Sequence, residues 1–197
     1  ADTPETGRNR THSQLSDAEL ADFLAGLSAV SRPLICDWFR GSEAVEWKPD
    51  ASPVTRADKA AETALRAAIE ARFPDDAILG EEHAARPGSG KTGYSWVIDP
   101  IDGTRAFVCG RPVFGTLVGL VDGTTPVAGL IDMPMLDECY VGVGGKTVLN
   151  GAAATTSQVT SLARARIAST APEALLPDSL AAFNRMVDQA AITVYGG

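Results

Sequence analysis

From Leu15 onward, Leu20, Phe23, Leu24, Leu27, Val30, Leu34, Ile35 and Trp38 recur at three- and four-residue spacing. That period predicts an amphipathic helix, bent where Pro33 interrupts it. "GSEAVEWKPDASPVT" breaks the period and reads as a short strand or hairpin, then a polar loop. A second helix is predicted over 56–72, with Ala60, Ala64, Leu65, Ala68 and Ile69 on one stripe. "FPDDAILGEEHAARPGSGKTGYS" reads as a turn, a short strand and an exposed Gly/Pro/Ser loop. The pattern then changes. "GTLVGLV", "PVAGLID" and "ECYVGVGG" are strand-like runs separated by turn residues, which predicts an antiparallel meander. "TSQVTSLARAR" is a loop without chemistry, "RIAST" a strand, "PDSLAAFNRMV" a helix capped by Asp178, and "AITVYGG" a last strand. Helices first and a meander later make the chain α+β or layered α/β, not a doubly wound parallel fold. Residues 1–13 are polar and aperiodic and are read as a loose arm, leaving 14–197 as one domain made of an N-terminal α+β lobe and the start of a C-terminal αβ lobe.

Composition narrows the function classes. The chain has 197 residues and 45% apolar content, enough for one filled core or two small lobes. A net charge of −8 opposes nonspecific nucleic-acid binding, but not an anionic substrate if a divalent cation reverses the local field. No apolar run reaches the length of a membrane span and no signal peptide leads the chain, so a cytoplasmic protein without a membrane partner is expected. Three cysteines without CxxC spacing argue against a disulfide framework and a structural zinc. With only His12 and His83, histidine-rich metal chemistry is nearly excluded.

Candidate chemistry concentrates in "SWVIDPIDGTRAF". An apolar β-prone run ends at Asp99. Pro100 holds Asp99 out of the helical region and sets a turn, bringing Asp99 and Asp102 to one mouth. Gly103 lets backbone come close to whatever sits there, and Thr104 starts a short helix whose free N–H groups suit an anion. The Ile101 carbonyl has no ladder partner in so tight a turn. Two acids, a free carbonyl and an anion-seeking helix start are compatible once a hard divalent cation lies between them. A surface turn with a capping aspartate is the other reading, and the tetrapeptide alone leaves both open. Two further segments favour the first. "ILGEEH" places Glu81 and Glu82 just after a strand, and "SPVTRAD" places Thr55 and Asp58 at a loop-to-helix junction.

Together "SPVTRAD", "ILGEE", "WVIDPIDGTRAF" and "GTLVGLVDGTTPVAGLIDMPMLDECYVGVGG" resemble the inositol-monophosphatase-like, metal-dependent phosphatases over residues ~45–197. "DGTRAFVCGRPVFGTLVGL", "GLIDMPMLDECYVG" and "VYGG" look most like the histidinol-phosphate phosphatase branch. The resemblance implies a layered αβαβα sugar-phosphatase fold of the inositol monophosphatase/fructose-bisphosphatase type. It implies Mg²⁺, two or three ions per complete site, and hydrolysis of a small phosphate monoester. L-histidinol phosphate, within histidine biosynthesis, is the first choice and inositol phosphate the second. By resemblance, Glu81, Asp99 and the Ile101 carbonyl hold one ion, and Asp99 and Asp102 a second. Glu81 and Thr104, the latter oriented by Asp58, activate and position water, and the N–H groups of Gly103 and Thr104 grip phosphate. The resemblance also implies about sixty further residues after "YGG", with another metal-binding aspartate, so the fold is expected to be C-terminally incomplete. A weak, metal-binding remnant is therefore kept as an alternative, as are a homodimer and association with a C-terminal segment. Open at this point are His83 (solvated, or in a metal or substrate role), Lys48 (a surface lysine, a shield for the acids or a contact to the phosphate) and Arg105 and Arg111 (solvated or reading substrate). Glu82 is expected to support Glu81, and Cys109 to be a small buried hydrophobe.

Overall fold

The structure is a computed structural model that describes residues 15–41, 45–49, 53–172 and 175–196; the expected arm over 1–13 lies outside them. The chain divides into two compact units, Ala1–Ala154 and Thr155–Gly197.

In the first unit, helix α1 (Asp17–Trp38) opens with a capping box. Ser16 Oγ accepts the Glu19 N–H and Glu19 reaches back to the Ser16 N–H. The helix runs through Pro33 to Trp38 and buries Leu20, Leu24, Leu27, Ser31 and Ile35, a three-four spacing. A two-residue hairpin, β1 (Glu46–Trp47) with β2 (Pro53–Val54), leads to α2 (Arg56–Arg72). This second helix also has a capping box, between Thr55 and Asp58. Its buried stripe is Ala57, Asp58, Ala61, Glu62, Leu65 and Ile69, whereas Ala60, Ala64 and Ala68 are only half-buried. The apolar stripe expected from the sequence is thus shifted, because two acids share the inward face.

Both helices pack on a seven-stranded sheet of β3 (Ala77–Gly80), β4 (Tyr94–Asp102), β5 (Gly115–Asp122), β6 (Thr125–Met133), β7 (Glu138–Val143), β8 (Lys146–Leu149) and β9 (Ala152–Ala153), paired in that order. Strands β5 to β7 are the expected antiparallel meander, β4, β8 and β9 extend it antiparallel, and β3 runs parallel to β4. A parallel pair cannot close through a tight hairpin, so loop 81–93 carries the chain back. The Ile78–Arg86 bridge ties that loop down, and buried Asp76 accepts from Trp96 Nε1 at 2.9 Å and Thr92 Oγ1 at 2.7 Å. The main core joins Leu20, Leu24, Leu27, Leu65 and Ile69 to Trp96, Ile98, Val118, Leu120, Leu130 and Val141. A second cluster of Ile35, Ala57, Ala61, Ile101, Phe107 and Phe114 lies where "DPIDGT" leaves the sheet. Between them, Arg32 of α1 makes a forked ion pair with fully buried Asp132 of β6, at 2.7–3.0 Å.

The second unit is a βαβ element. Strands β10 (Arg166–Ser169) and β11 (Ile192–Tyr195) pair in parallel, joined through helix α4 (Pro177–Val187), which buries Phe183. Asp178 is not the cap of α4. Leu176 takes that position, without a side-chain cap, because Pro177 is pre-set for the first helical turn; Asp178 lies inside that turn, where an acid suits the helix dipole. Among the described residues, no helix is long and apolar enough to cross a membrane.

Candidate active site

The β4–β5 ladder is regular up to Asp99 opposite Leu117, slips, and resumes at Asp102 opposite Gly115. The slip falls on Pro100 and Ile101. Proline has no N–H to give a ladder, and its carbonyl accepts instead from Thr116 Oγ1 at 2.9 Å. Ile101 drives its side chain into the second core cluster, and its carbonyl accepts from Thr104 Oγ1 at 3.0 Å. Gly103 has φ of +89°, and a Cβ there would meet the Val113 carbonyl oxygen at 3.2 Å and Phe114 at 3.4 Å. Glycine is therefore required to turn the chain into the short helix α3 (Thr104–Val108). Rings of Phe39, Phe107 and Phe114, with centroids 5.1–5.7 Å apart, form the floor under α3.

Because β3 is parallel to β4, the two strands deliver their C-terminal loops to one end of the sheet. Gly80 is level with Ile98, and the Glu81 N–H donates to the Ile98 carbonyl at 3.2 Å, beside Asp99. The parallel pairing thus brings "GEE" and "DPIDGT" together. Lys48, just after β1, places Nζ 2.6 Å from Glu81 Oε1 and 2.7 Å from Glu82 Oε1. It thus shields the acids, one of the roles the sequence leaves open, rather than standing free on the surface. Asp58, 1% exposed, arrives from the start of α2; its Oδ2 accepts from Thr55 N at 2.8 Å and Thr55 Oγ1 at 2.6 Å. Among the described residues, no hydrogen bond joins Asp58 to Thr104.

Burial first, then the negative charges of Glu81 and Asp102, then a hydrogen bond with Glu81 and the charge of Asp58, push the Asp99 carboxyl up to about 7. Asp99 Oδ1 is buried with no hydrogen-bond partner. Burial also raises Asp58 and Glu82. Burial works against the Lys48 ammonium, but hydrogen bonds to Glu81 and Glu82 outweigh it and its pKa rises. The site is therefore a crowd of acids in which Lys48 pairs with Glu81 and Glu82 and one buried acceptor, Asp99 Oδ1, is left unanswered. Among the described residues, no three His, Cys, Asp or Glu side chains enclose an ion as they stand; Glu81 is turned onto Lys48. The donor chemistry nonetheless fits a hard divalent cation. It offers carboxylate and carbonyl oxygens and, at Asp99, one buried and unpartnered carboxylate oxygen on a group that is costly to ionise there.

Sequence reasoning missed Glu62 here. It is fully buried beneath the "GEEH" loop, and its oxygens accept the backbone N–H groups of Glu82 and His83. Acids and a base at four-residue intervals on α2 (Asp58, Glu62, Arg66) were the available signal. His83 lies back on α2, with Nε2 3.1 Å from Thr63 Oγ1 and 3.2 Å from the Lys59 carbonyl. Arg105 and Arg111 are exposed. Cys109 is exposed rather than buried, because it follows the last turn of α3 as the C-cap.

A model of the inositol monophosphatase family matches residues 17–181. The chain is 39% identical over 192 residues to the chloroplastic bifunctional phosphatase IMPL2 of Arabidopsis thaliana, covering 95% of this chain and 56% of that protein. It is 39% identical over 167 residues to histidinol-phosphatase of Chlorobaculum parvum, covering 83% and 62%. The chain thus spans less than two thirds of either relative. Among solved structures, an inositol monophosphatase from Zymomonas mobilis superposes with a TM-score of 0.77 at 35% identity, covering 93% of this chain and 71% of that one. An inositol monophosphatase from Thermotoga maritima gives 0.78 at 28%, covering 91% and 68%.

Proposed function

The chain belongs to the inositol monophosphatase family, and from that membership we propose that it hydrolyses a small phosphate monoester with a divalent cation, Mg²⁺ by the oxygen-only donors. The observation that carries the reading is the buried, unpartnered Oδ1 of Asp99, faced by Glu81 and Asp102 where "DPIDGT" enters α3. Glu81, Asp99 and the Ile101 carbonyl would hold one ion, and Asp99 and Asp102 a second. When bound, such ions polarise a phosphoryl group and ease the deprotonation of water. Glu81 is the base that takes the water proton. Thr104, whose hydroxyl proton goes to the Ile101 carbonyl, keeps its lone pairs free to accept from that water. Asp58, fixed by Thr55, contributes charge at the back of the cluster rather than a direct contact with Thr104. The Gly103 and Thr104 N–H groups, at a helix start, receive phosphate oxygens.

L-histidinol phosphate is the preferred substrate of this proposal, on the likeness to histidinol-phosphatases of Chlorobaculum parvum and Streptomyces coelicolor at 39% and 36% identity. Inositol 1-phosphate is the second reading, favoured by the likeness to the Zymomonas mobilis enzyme. A cytoplasmic homodimer is part of the same proposal. The test is phosphate release from both esters, with Mg²⁺ and after chelation. Release from histidinol phosphate that stops with chelator supports the reading; no release from any monoester refutes it.

A further inference from the structure

Glu62 takes no part in the chemistry above, yet it is fully buried. It sits one turn beyond Asp58 on α2. Its Oε2 accepts the Glu82 N–H at 2.7 Å, and its Oε1 accepts the His83 N–H at 3.3 Å and Arg66 Nε at 2.7 Å. Arg66 Nη2 in turn donates to the His83 carbonyl at 3.2 Å. The loop is therefore gripped at both its N–H and its C=O groups by one ion pair. All three groups reaching the Glu62 carboxylate are donors. A carboxylate satisfies all of them, whereas an amide must turn its own NH₂ toward one. Gly80 completes the arrangement, since a Cβ there would fall 1.9 Å from Glu62 Oε1 and 2.8 Å from Arg66 Nη2.

The gripped segment begins one residue after Glu81. On its other side, the Glu81 N–H is held by the Ile98 carbonyl at 3.2 Å. Glu81 thus stands between two backbone anchors, one from β4 and one from Glu62. We propose that Glu62, neutralised by Arg66 and admitted by Gly80, is a positioning residue that fixes the Glu81 backbone and so sets the divalent-cation affinity of the site. The inference rests on the metal reading above. A charge-assisted grip on backbone restrains a ligand more tightly than side-chain packing, and supporting contacts of this kind typically govern affinity 10–100-fold.

The experiment is Mn²⁺ binding, followed by electron paramagnetic resonance, to the parent protein, Glu62→Gln, Gly80→Ala and Ile69→Val. Gly80→Ala keeps every charged group but displaces the Glu62 carboxylate and the Arg66 guanidinium that pairs with it. Ile69→Val weakens the packing of the same helix in the main core, which contains no residue of loop 81–93. The expected result is a loss of Mn²⁺ affinity of about 10–100-fold in Glu62→Gln and Gly80→Ala, with none in Ile69→Val. Amide exchange at residues 82 and 83 should accelerate in Glu62→Gln while the rest of α2 stays protected, and saturating Mn²⁺ should restore most of kcat. Should Glu62→Gln fail to fold, Gly80→Ala and the exchange protection of the parent decide. A folded Glu62→Gln that binds Mn²⁺ like the parent overturns the inference and leaves the phosphatase reading intact, as does an equal loss in Ile69→Val. A parent that binds no Mn²⁺ overturns the metal reading and this inference with it.

Discussion

Replacing Asp99 by Asn should stabilise the metal-free protein at neutral and alkaline pH, and should remove its response to divalent ions. The Asp99 carboxyl is moved from an ordinary 3.8 to about 7 by burial and by Glu81, Asp102 and Asp58. Holding it ionised above pH 7 would cost about 4 kcal/mol if every part of the shift were felt undiminished. The mouth of the site is open to water, so screening reduces this to about 2 kcal/mol. Asparagine carries no charge and can donate to Glu81, removing the penalty. For a chain of this size each kcal/mol is about 2–4 °C, so Tm at pH 8 with chelator should rise by about 4–8 °C. Near pH 4, where Asp99 is already neutral, the difference should vanish. With Mg²⁺ at 100 times its dissociation constant the parent should gain about 2.7 kcal/mol and the variant almost nothing, reversing their order. Thermal unfolding at two pH values, with and without Mg²⁺, reads all of this. An Asn variant less stable than the parent at pH 8 in chelator, or equally stabilised by Mg²⁺, would refute the reasoning.

Other outcomes follow from the same contacts. Since the folded-state pKa of Asp99 is raised, its contribution to stability is fully present below about pH 4 and is lost as pH rises through about 7; urea unfolding of the chelated parent should show that loss, and Mg²⁺ should abolish it. Ca²⁺ should occupy the site but support little turnover, because it tolerates looser coordination than the near-octahedral arrangement of Mg²⁺; equal phosphate release with both ions would count against the proposed geometry. Arg32→Met strands Asp132, fully buried, without its forked partner, and should cost about 3–5 kcal/mol; a denaturation midpoint close to that of the parent would show that water reaches Asp132.

What the sequence made legible was local. The periodicities of α1, α2 and the meander follow from side chains that face one core, so their patterns survive in the text of the chain. "DPIDGT" was readable because proline, glycine and two acids at fixed spacing constrain one turn. Pairings between distant segments left no such trace. The parallel β3–β4 pair, which brings Glu81 beside Asp99, depends on a loop crossover that neither strand encodes. The buried stripe of α2 differs from the apolar pattern because Asp58 and Glu62, though polar, are buried on the cap, on backbone donors and on Arg66. Leu176, not Asp178, occupies the cap because Pro177 is pre-set for the first helical turn, and Lys48 gains a role only from where its hairpin lands.

The central claim is that a divalent cation lies against Asp99, and a crystal soaked in Mn²⁺ tests it most directly. An anomalous difference map collected at the manganese edge should show a peak in contact with Asp99 Oδ1, the Ile101 carbonyl and a Glu81 released from Lys48, with a second peak toward Asp102. A well-ordered site with no peak there, and with Lys48 still clamped on Glu81 and Glu82, would contradict the account.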